Sequence, residues 1–381
     1  MKKTKNLHVV YIVTKLELGG AQKVCLSLVS GINDTDFSTS LISGNQGPLV
    51  THAKQFDQVF LLDSFKNEAR LKSLLNEIKN FRNIVRILRT LKKKYPAIVV
   101  HTHSTKAGII GRWAAFFAGI KTRVHTIHGF GFNDYQPRLR WLLIYAFEWI
   151  TTLITTHFVC VSTKDHTEGC KLLPDFARKS SIIRAAVEYE KFYLPARCLN
   201  RMKPFRIGTV SCFKPQKNLL DLLKAFQLAT TLTTHQTLEL EIIGDGILRT
   251  ELEEWIKRNN MHDSVHLLGW QHDIRPWLTS WDVFALSSLW EGLPCSIIEA
   301  RLSKIPVVAY NVGGINEVIQ HDINGYLIEP GNWQQLGKMI AIIANNKALY
   351  QRLSNHQDSL TDFGVPAMLA QHMALYRQIL N

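Results

Sequence analysis

Short runs rich in β-branched and apolar residues alternate with longer runs whose apolar positions recur every three or four residues along most of the 381-residue chain. The short runs predict strands at residues 9–14, 38–42, 59–62, 98–103, 124–128 and 158–162, with helices at 21–30, 74–92 and 107–117 between them. This alternation predicts a parallel sheet covered by helices on both faces. The pattern breaks at residues 185–204, "AAVEYEKFYLPARCLNRMKP", a polar, proline-bearing stretch that reads as a linker. A second series then predicts strands at 206–211, 238–243, 265–268, 283–286, 307–310 and 325–328, and helices at 218–229, 248–259 and 297–303. The expected fold class is α/β, two doubly wound domains at residues 1–190 and 191–364, with a last helix near 367–379 that could pack on either. Ligands of such sheets bind beyond the carboxyl ends of the strands, so a cleft between two such domains is the expected site.

One apolar stretch tests this picture. "WLLIYAFEWITTLITTHFVCV", residues 141–161, is long enough to raise the question of a membrane span, but Glu148 and several threonines interrupt it. The expectation is a buried helix followed by a strand, with a membrane-facing amphipathic helix as the alternative. The opening "MKKTKNLHVVYIVT" has lysines like a leader, yet its apolar run is short, contains His8 and lacks a small-residue cleavage site, so a first strand is expected.

Charge divides the chain unevenly. Residues 1–200 contain 29 Lys and Arg against 14 Asp and Glu, whereas residues 201–381 contain 16 against 17. A basic half beside a neutral one fits an anionic partner such as nucleic acid, a membrane surface or a phosphate-bearing substrate, or else a solvated cationic surface. Lys92, Lys93 and Lys94, at a predicted helix end, also suit the helix dipole. The six cysteines, at 25, 160, 170, 198, 212 and 295, form no C-x-x-C pair and fit reduced thiols in a cytosolic protein.

Candidate chemistry lies in the loops after strands. Gly19 and Gly20 precede a helix, where backbone N–H groups can meet a phosphate or hydroxyl, although a tight turn would use them equally well. His128 ends a strand in "TIHGFGFN", beside glycines and aromatic residues. His101 and His103 alternate along another strand and could point to one side, but no Cys, Asp or Glu cluster joins them as metal ligands. In "GTVSCFKPQKN", Lys214 and Lys217 precede a helix, a place that disfavours cations unless an anion is held there too. Gly244 in "IIGDGILR" and Gly269 in "LLGW" give backbone room after strands; Trp270 could stack on a base or lie in the core. In "WEGLPCSIIEA", Gly292 and Pro294 place a helix start near Pro294, with Glu291 in the loop before it and Glu299 inside it. Ionised carboxylates accept hydrogen bonds from vicinal hydroxyls, and exposed N–H groups at the helix start can face a diphosphate.

The ordered set of a Gly-Gly loop, "HG" at a strand end, "PQKN", "GDG", "EGLP" with Glu-x7-Glu, and "VGGINEVI" resembles the family 4 retaining glycosyltransferases of the GT-B fold, which have two Rossmann-like domains. "TIHGFGFN" with "PQKN" looks most like the branch that builds capsule, exopolysaccharide and O-antigen repeat units. The resemblance implies that Glu299 holds the donor ribose and that Glu291 contacts the donor sugar near its reacting end. It also implies that the backbone of Gly292, Leu293, Pro294, Cys295 and Ser296 contacts sugar hydroxyls and phosphate. Lys217 would neutralise the leaving diphosphate, His128 would line the donor sugar, Gly20 would approach the phosphates, and the closing helix, 365–381, would return to the first domain. No metal or other cofactor is implied. Two positions depart from the family pattern. Cys212 stands where an arginine is common, with Lys214 the nearest cation but lacking the bidentate fork, and Ala185-Ala186 stand where Asn-Gly is frequent.

The expected function is transfer of a hexose or N-acetylhexosamine from a nucleotide diphosphate, UDP by preference, to a glycan or polyprenyl-diphosphate-linked acceptor. The expected setting is surface polysaccharide or lipopolysaccharide synthesis, with the protein cytoplasmic and peripheral on an anionic membrane surface. Rival readings are a UDP-N-acetylhexosamine 2-epimerase-like enzyme and a catalytically weak nucleotide-sugar-binding protein. A nucleic-acid partner would show steep salt dependence, and the chain lacks the G-x-G-x-x-G of a dehydrogenase after its first strand.

Overall fold

The computed structural model describes residues 7–32, 36–63, 65, 72–197 and 204–380. The chain divides into two compact units, Met1–Ala186 with Val365–Asn381, and Val187–Gly364. In the first unit, strands β1 (Leu7–Val13), β2 (Phe37–Gly44), β3 (Val59–Leu62), β4 (Ala97–His103), β5 (Thr122–Ile127), β6 (His157–Cys160) and β7 (Ser180–Ile182) form one parallel sheet ordered β3-β2-β1-β4-β5-β6-β7. All seven residues of β1 are buried, because neighbouring strands and both faces enclose it; "LHVVYIV" therefore shows no alternation. The strand order reverses between β1 and β4, the point in such a sheet where loops at the carboxyl ends part and leave room for a ligand.

Helix Lys72–Lys94 ends on Lys92, Lys93 and Lys94, whose charges favour the negative end of its dipole. β6 closes two residues earlier than its apolar run suggests, because Ser162 caps the helix Thr163–Leu172: its Oγ accepts from the Asp165 N–H at 3.1 Å. The last helix, Val365–Leu380, belongs to the first unit.

Segment 141–161 corrects the expectation of a buried helix. The helix Arg138–Thr152 turns Glu148, Thr151 and Thr152 inward. Its Leu139, Leu142, Leu143, Phe147 and Ile150, together with Leu153 just beyond it, are 46 to 70 % exposed. The cause lies on the neighbouring helix Thr105–Phe117, where the guanidinium of Arg112 is fully buried. Arg112 donates from Nη2 to Glu148 Oε2 at 2.7 Å, from Nη1 to Thr155 Oγ1 at 3.0 Å and from Nε to the Gly108 carbonyl at 2.8 Å. A buried cation requires a partner. The polar face of Arg138–Thr152 supplies it, which leaves the apolar face outside. Among the described residues no helix is long and apolar enough to cross a membrane.

The second unit holds β8 (Phe205–Val210), β9 (Leu238–Ile243), β10 (Val265–Gly269), β11 (Val283–Leu286), β12 (Val307–Tyr310) and β13 (Gly325–Ile328), ordered β10-β9-β8-β11-β12-β13. Helices Leu219–Leu232, Arg249–Arg258, Cys295–Leu302, Trp333–Asn345 and Lys347–Asn355 accompany them. One core cluster, including Leu222, Leu240, Ile340 and Tyr350, joins sheet and helices.

The linker expected at 185–204 also needs correction. Ala185, Ala186 and Val187 are buried. Beyond them, residues 188–197 are held within the second unit: the Leu194 N–H donates to the Leu302 carbonyl at 2.9 Å, and Arg197 Nη1 and Nη2 donate to the carbonyls of Ser303 and Leu278 at 3.0 and 2.8 Å. Residues 198–203, Cys198 among them, lie outside the described residues. The described cysteines Cys25, Cys160, Cys170, Cys212 and Cys295 form no disulfide with one another.

Candidate functional site

The second unit builds its site from two loops at the carboxyl ends of neighbouring strands. After β8, Lys214 precedes a single turn, Pro215–Lys217, and Asn218 takes the left-handed conformation (φ 44°) that redirects the chain into helix Leu219–Leu232. After β11, residues 287–291 run alongside. The loops are tied together by Gln216 Nε2 donating to the Trp290 carbonyl at 2.7 Å, by the Leu289 N–H donating to the Gln216 carbonyl at 2.8 Å, and by Ser287 Oγ donating to the Lys217 carbonyl at 3.0 Å. This framework brings Lys217 Nζ onto Glu291 Oε1 in an ion pair whose side chains are 17 and 9 % exposed. Two residues expected to serve the same ligand, 74 positions apart, thus already touch.

Pro294 is the N-cap of helix Cys295–Leu302, as the proline and glycine of the motif require, and Glu291 lies in the loop before it. Gly292, Leu293, Pro294 and Cys295 are buried and Ser296 is half-buried; Glu299, one helical turn farther along, is buried. A third loop seals the helix start. The Gly314 N–H donates to the Gly292 carbonyl at 2.6 Å. Gly313 (φ +57°) passes so close that a Cβ there would lie 2.1 Å from the Glu291 carbonyl oxygen, which leaves no room for any side chain.

The remaining pieces of this unit frame the two loops. Gly244 (φ +132°) follows β9, and a Cβ there would meet the Ser211 carbonyl at 1.9 Å; its N–H donates to the Gly269 carbonyl at 2.8 Å. Cys212 is half-buried after β8, and its carbonyl accepts from the Lys214 N–H at 2.8 Å. Trp270 is 36 % exposed, so the core alternative for it is corrected: β10 ends at Gly269, and the indole lies beyond the sheet. Gln216, inside "PQKN" but given no role from the sequence, and Ser287, which no motif marked, are additions, since their hydrogen bonds are set by the facing loop.

The first unit carries a separate group of residues at the ends of β4 and β5. Gly19 is the N-cap of helix Gly20–Gly31, whose first turn has no acidic residue, and Gly20 is exposed. Beside it, Ala21, Ser104, Thr105, His128, Gly129 and Gly131 help line a cavity of about 220 Å³. Ser104 holds φ 67°, a conformation that costs a non-glycine residue on the order of 1–3 kcal/mol. Its Oγ to Thr14 Oγ1 at 2.8 Å and its carbonyl to the Gly108 N–H at 2.7 Å keep it there. No residue type at position 104 announces this turn, and the sequence reading passed over it.

His128 is the first residue beyond β5, half-buried, with Nε2 2.9 Å from His103 Nδ1. His101 and His103 do share one side of β4, their rings stacked at 4.5 Å. His101 Nδ1 meets the Tyr376 hydroxyl at 2.5 Å, and that hydroxyl lies 3.1 Å from Tyr11 Oη. His372 Nδ1 donates to the Met368 carbonyl at 2.9 Å. Among the described residues no group of three His, Cys, Asp or Glu is placed to hold a metal ion.

Burial sets the charge of this cluster. It pushes His128 down to about 3, helped by His372, and His372 itself down to about 4. His101 and His103 are likewise driven well below 6.5, by burial first and by neighbouring histidines second. All four rings are therefore neutral at pH 7, and His128 can offer or accept one hydrogen bond with an incoming hydroxyl. In the unfolded chain the same rings take protons below about 6.5, so stability is complete above that pH and is lost as pH falls toward 4. Thermal melts from pH 7.5 to 4.5 should show a constant midpoint above pH 7 and a steepening fall below 6.5. Each linked proton contributes about 1.4 kcal/mol per pH unit.

Two Rossmann-like units, one with a lysine and a glutamate paired at a glycine-flanked helix start, are what the resemblance implies. Residues 18–190 match the family model Glycosyltransferase Family 4, and residues 195–358 match Glycosyl transferases group 1. The UDP-Gal:alpha-D-GlcNAc-diphosphoundecaprenol alpha-1,3-galactosyltransferase of Escherichia coli is 30% identical over 347 residues, which cover 87% of this chain and 86% of that protein. The O-antigen biosynthesis glycosyltransferase WbnH, also from Escherichia coli, is 25% identical over 84% of this chain and 86% of its own length. The solved structure of Anabaena HepE with UDP and glucose superposes with a TM-score of 0.79 at 18% identity, covering 98% of this chain and 100% of that one. The chain belongs to glycosyltransferase family 4.

Proposed function

We propose that the protein moves a hexose or N-acetylhexosamine, galactose first among them, from UDP to a sugar hydroxyl on a polyprenyl-diphosphate-linked acceptor. The reaction retains the anomeric configuration and uses no metal ion, and it takes place at the cytoplasmic membrane surface during assembly of a surface polysaccharide. The observation that carries this reading is the 30% identity, spread over 87% of the chain, to a galactosyltransferase named for UDP-galactose and a diphosphoundecaprenol-linked GlcNAc.

The chemistry follows from the second unit. The bond from the anomeric carbon to the diphosphate oxygen breaks, a bond from the acceptor oxygen to that carbon forms on the same face, and the acceptor proton goes to the departing phosphate oxygen. Negative charge grows on the diphosphate, where Lys217 and the amides at the start of helix Cys295–Leu302 stabilise it. Glu291 holds the ammonium in position before the donor arrives and then accepts from a sugar hydroxyl, while Glu299 accepts from the ribose diol. Cys212 leaves the arginine position of the family without a fork, so Lys217 carries the diphosphate with less help.

Incubating the protein with UDP-galactose, UDP-glucose or UDP-N-acetylglucosamine and a GlcNAc-diphospholipid should give, with one of these donors, a lipid heavier by one hexose or N-acetylhexosamine, with UDP released and the product α-configured by NMR. Excess EDTA should change the rate by less than twofold. A β product would overturn retention. UDP release with a rearranged free sugar in the absence of acceptor would replace the reading with an epimerase.

A further inference from the structure

The exposed face of helix Arg138–Thr152 is a continuous apolar stripe. Leu139, Leu142, Leu143, Phe147, Ile150 and, past its end, Leu153 follow one another at steps of three or four residues, with one adjacent pair. The neighbouring helix Thr105–Phe117, packed on the inward side of this one, adds exposed aromatic rings. Trp113 Nε1 donates to Thr151 Oγ1 at 3.0 Å, and its ring lies 5.7 Å from Phe116 and 6.2 Å from Phe117, which are 45 and 55 % exposed. Phe117 in turn meets Phe81 edge-on at 5.8 Å. There a surface cavity of about 580 Å³ opens, with Arg82, Arg86, Arg89 and Lys93 along one face of helix Lys72–Lys94. Aromatic and aliphatic knobs thus run directly into a cationic groove.

We propose that this surface docks the protein on an anionic lipid bilayer, the stripe entering the boundary of headgroups and acyl chains and the groove receiving lipid phosphates. It rests on the reading that the acceptor is carried by a membrane lipid. Charge decides the occupant. Four cations beside the stripe repel a second copy presenting the same surface, and they attract negatively charged headgroups, whose potential acts within a Debye length of the membrane. A row of exposed leucines with a cationic flank is the pattern of an interfacial helix, lying in the plane rather than crossing. A nucleic acid would use the arginines and leave the leucines in water.

The test uses the full chain in flotation with vesicles of phosphatidylcholine alone and with 30 mol% phosphatidylglycerol, a composition chosen as roughly that of an anionic bacterial leaflet. The wild type should float with the anionic vesicles at least tenfold better than with neutral ones. Leu143→Glu with Phe147→Glu, and separately Arg82→Glu with Arg86→Glu, should each lose at least tenfold of that binding. Both variants should keep their melting midpoint and their turnover on a short-chain, water-soluble acceptor. Undiminished flotation of both variants overturns the proposal. So does equal flotation on neutral and anionic vesicles, or a wild-type dimer by light scattering that Leu143→Glu with Phe147→Glu dissociates. Failure of the wild type to glycosylate the soluble acceptor counts against the proposed reaction and leaves the flotation result to stand for itself.

Discussion

Lys217→Ala is expected to lower kcat at least a hundredfold, the scale of losing one preorganised charge at a developing anion. The protein should stay folded, with its unfolding midpoint lowered because Glu291, whose side chain is 9 % exposed, loses its ion-pair partner. The turn that carries Lys217 is tied to its neighbour by Gln216 and Ser287 and by main-chain groups, none of which the substitution removes. Lys217→Arg restores the charge and should recover a large part of the loss, because the ion pair with Glu291 positions a cation rather than a proton donor of particular acidity. Steady-state UDP release with saturating donor and acceptor measures both variants. Near-normal turnover in Lys217→Ala would remove electrostatic stabilisation of the diphosphate as the source of catalysis.

The second large effect is on stability. Arg112→Ala strands Glu148, whose side chain is 7 % exposed, without the Nη2 donor at 2.7 Å. Breaking one partner of a buried pair costs about 3–5 kcal/mol, a large part of what holds a domain folded. Urea unfolding followed by near-UV signals should show that loss in the first unit. Arg112→Met combined with Glu148→Leu should recover most of it, since two apolar groups need no partner. A single-variant loss below 1 kcal/mol would mean that water reaches the carboxylate, and the explanation given for the outward leucines would fail with it.

Those leucines also mark where the sequence stopped being informative. The 3.6-residue period of residues 138–153 is plain, but a period names two faces without saying which one is inside. That choice depends on Arg112, 36 positions away. Strands β11 and β12 were legible to the residue because a parallel strand buried on both faces is an unbroken apolar run between turn residues, and β9, "LELEII", because its first four residues alternate. β7, "SSI", was not, since only its pairing with β6 makes it a strand. The helices Trp333–Asn345 and Lys347–Asn355 went unmarked, although "WQQLGKMIAIIAN" carries a helical period.

At the site, residue types and their placement after strands pointed to Lys217, Glu291, Glu299 and His128, while their partners stayed hidden. The contact of Lys217 with Glu291 depends on the order of β8 and β11 in the sheet, and that of His128 with His103 on the pairing of β5 with β4. Gly313 was only one glycine of "VGGINEVI" until the chain folded back beneath Glu291 and left no space for a methyl group. Local pattern predicts elements; which loops become neighbours is settled by the sheet.

The placement of helix Val365–Leu380 in the first unit has a consequence for how the molecule comes into being. Tyr376 stands against His101 and Tyr11 in the interior of that unit, so its core lacks a wall until residue 376 has been made. On the ribosome, the whole of Val187–Gly364 emerges between the two parts. The half of the protein that is synthesised first is the half that is completed last, and during that interval His101 lacks the tyrosine that covers it.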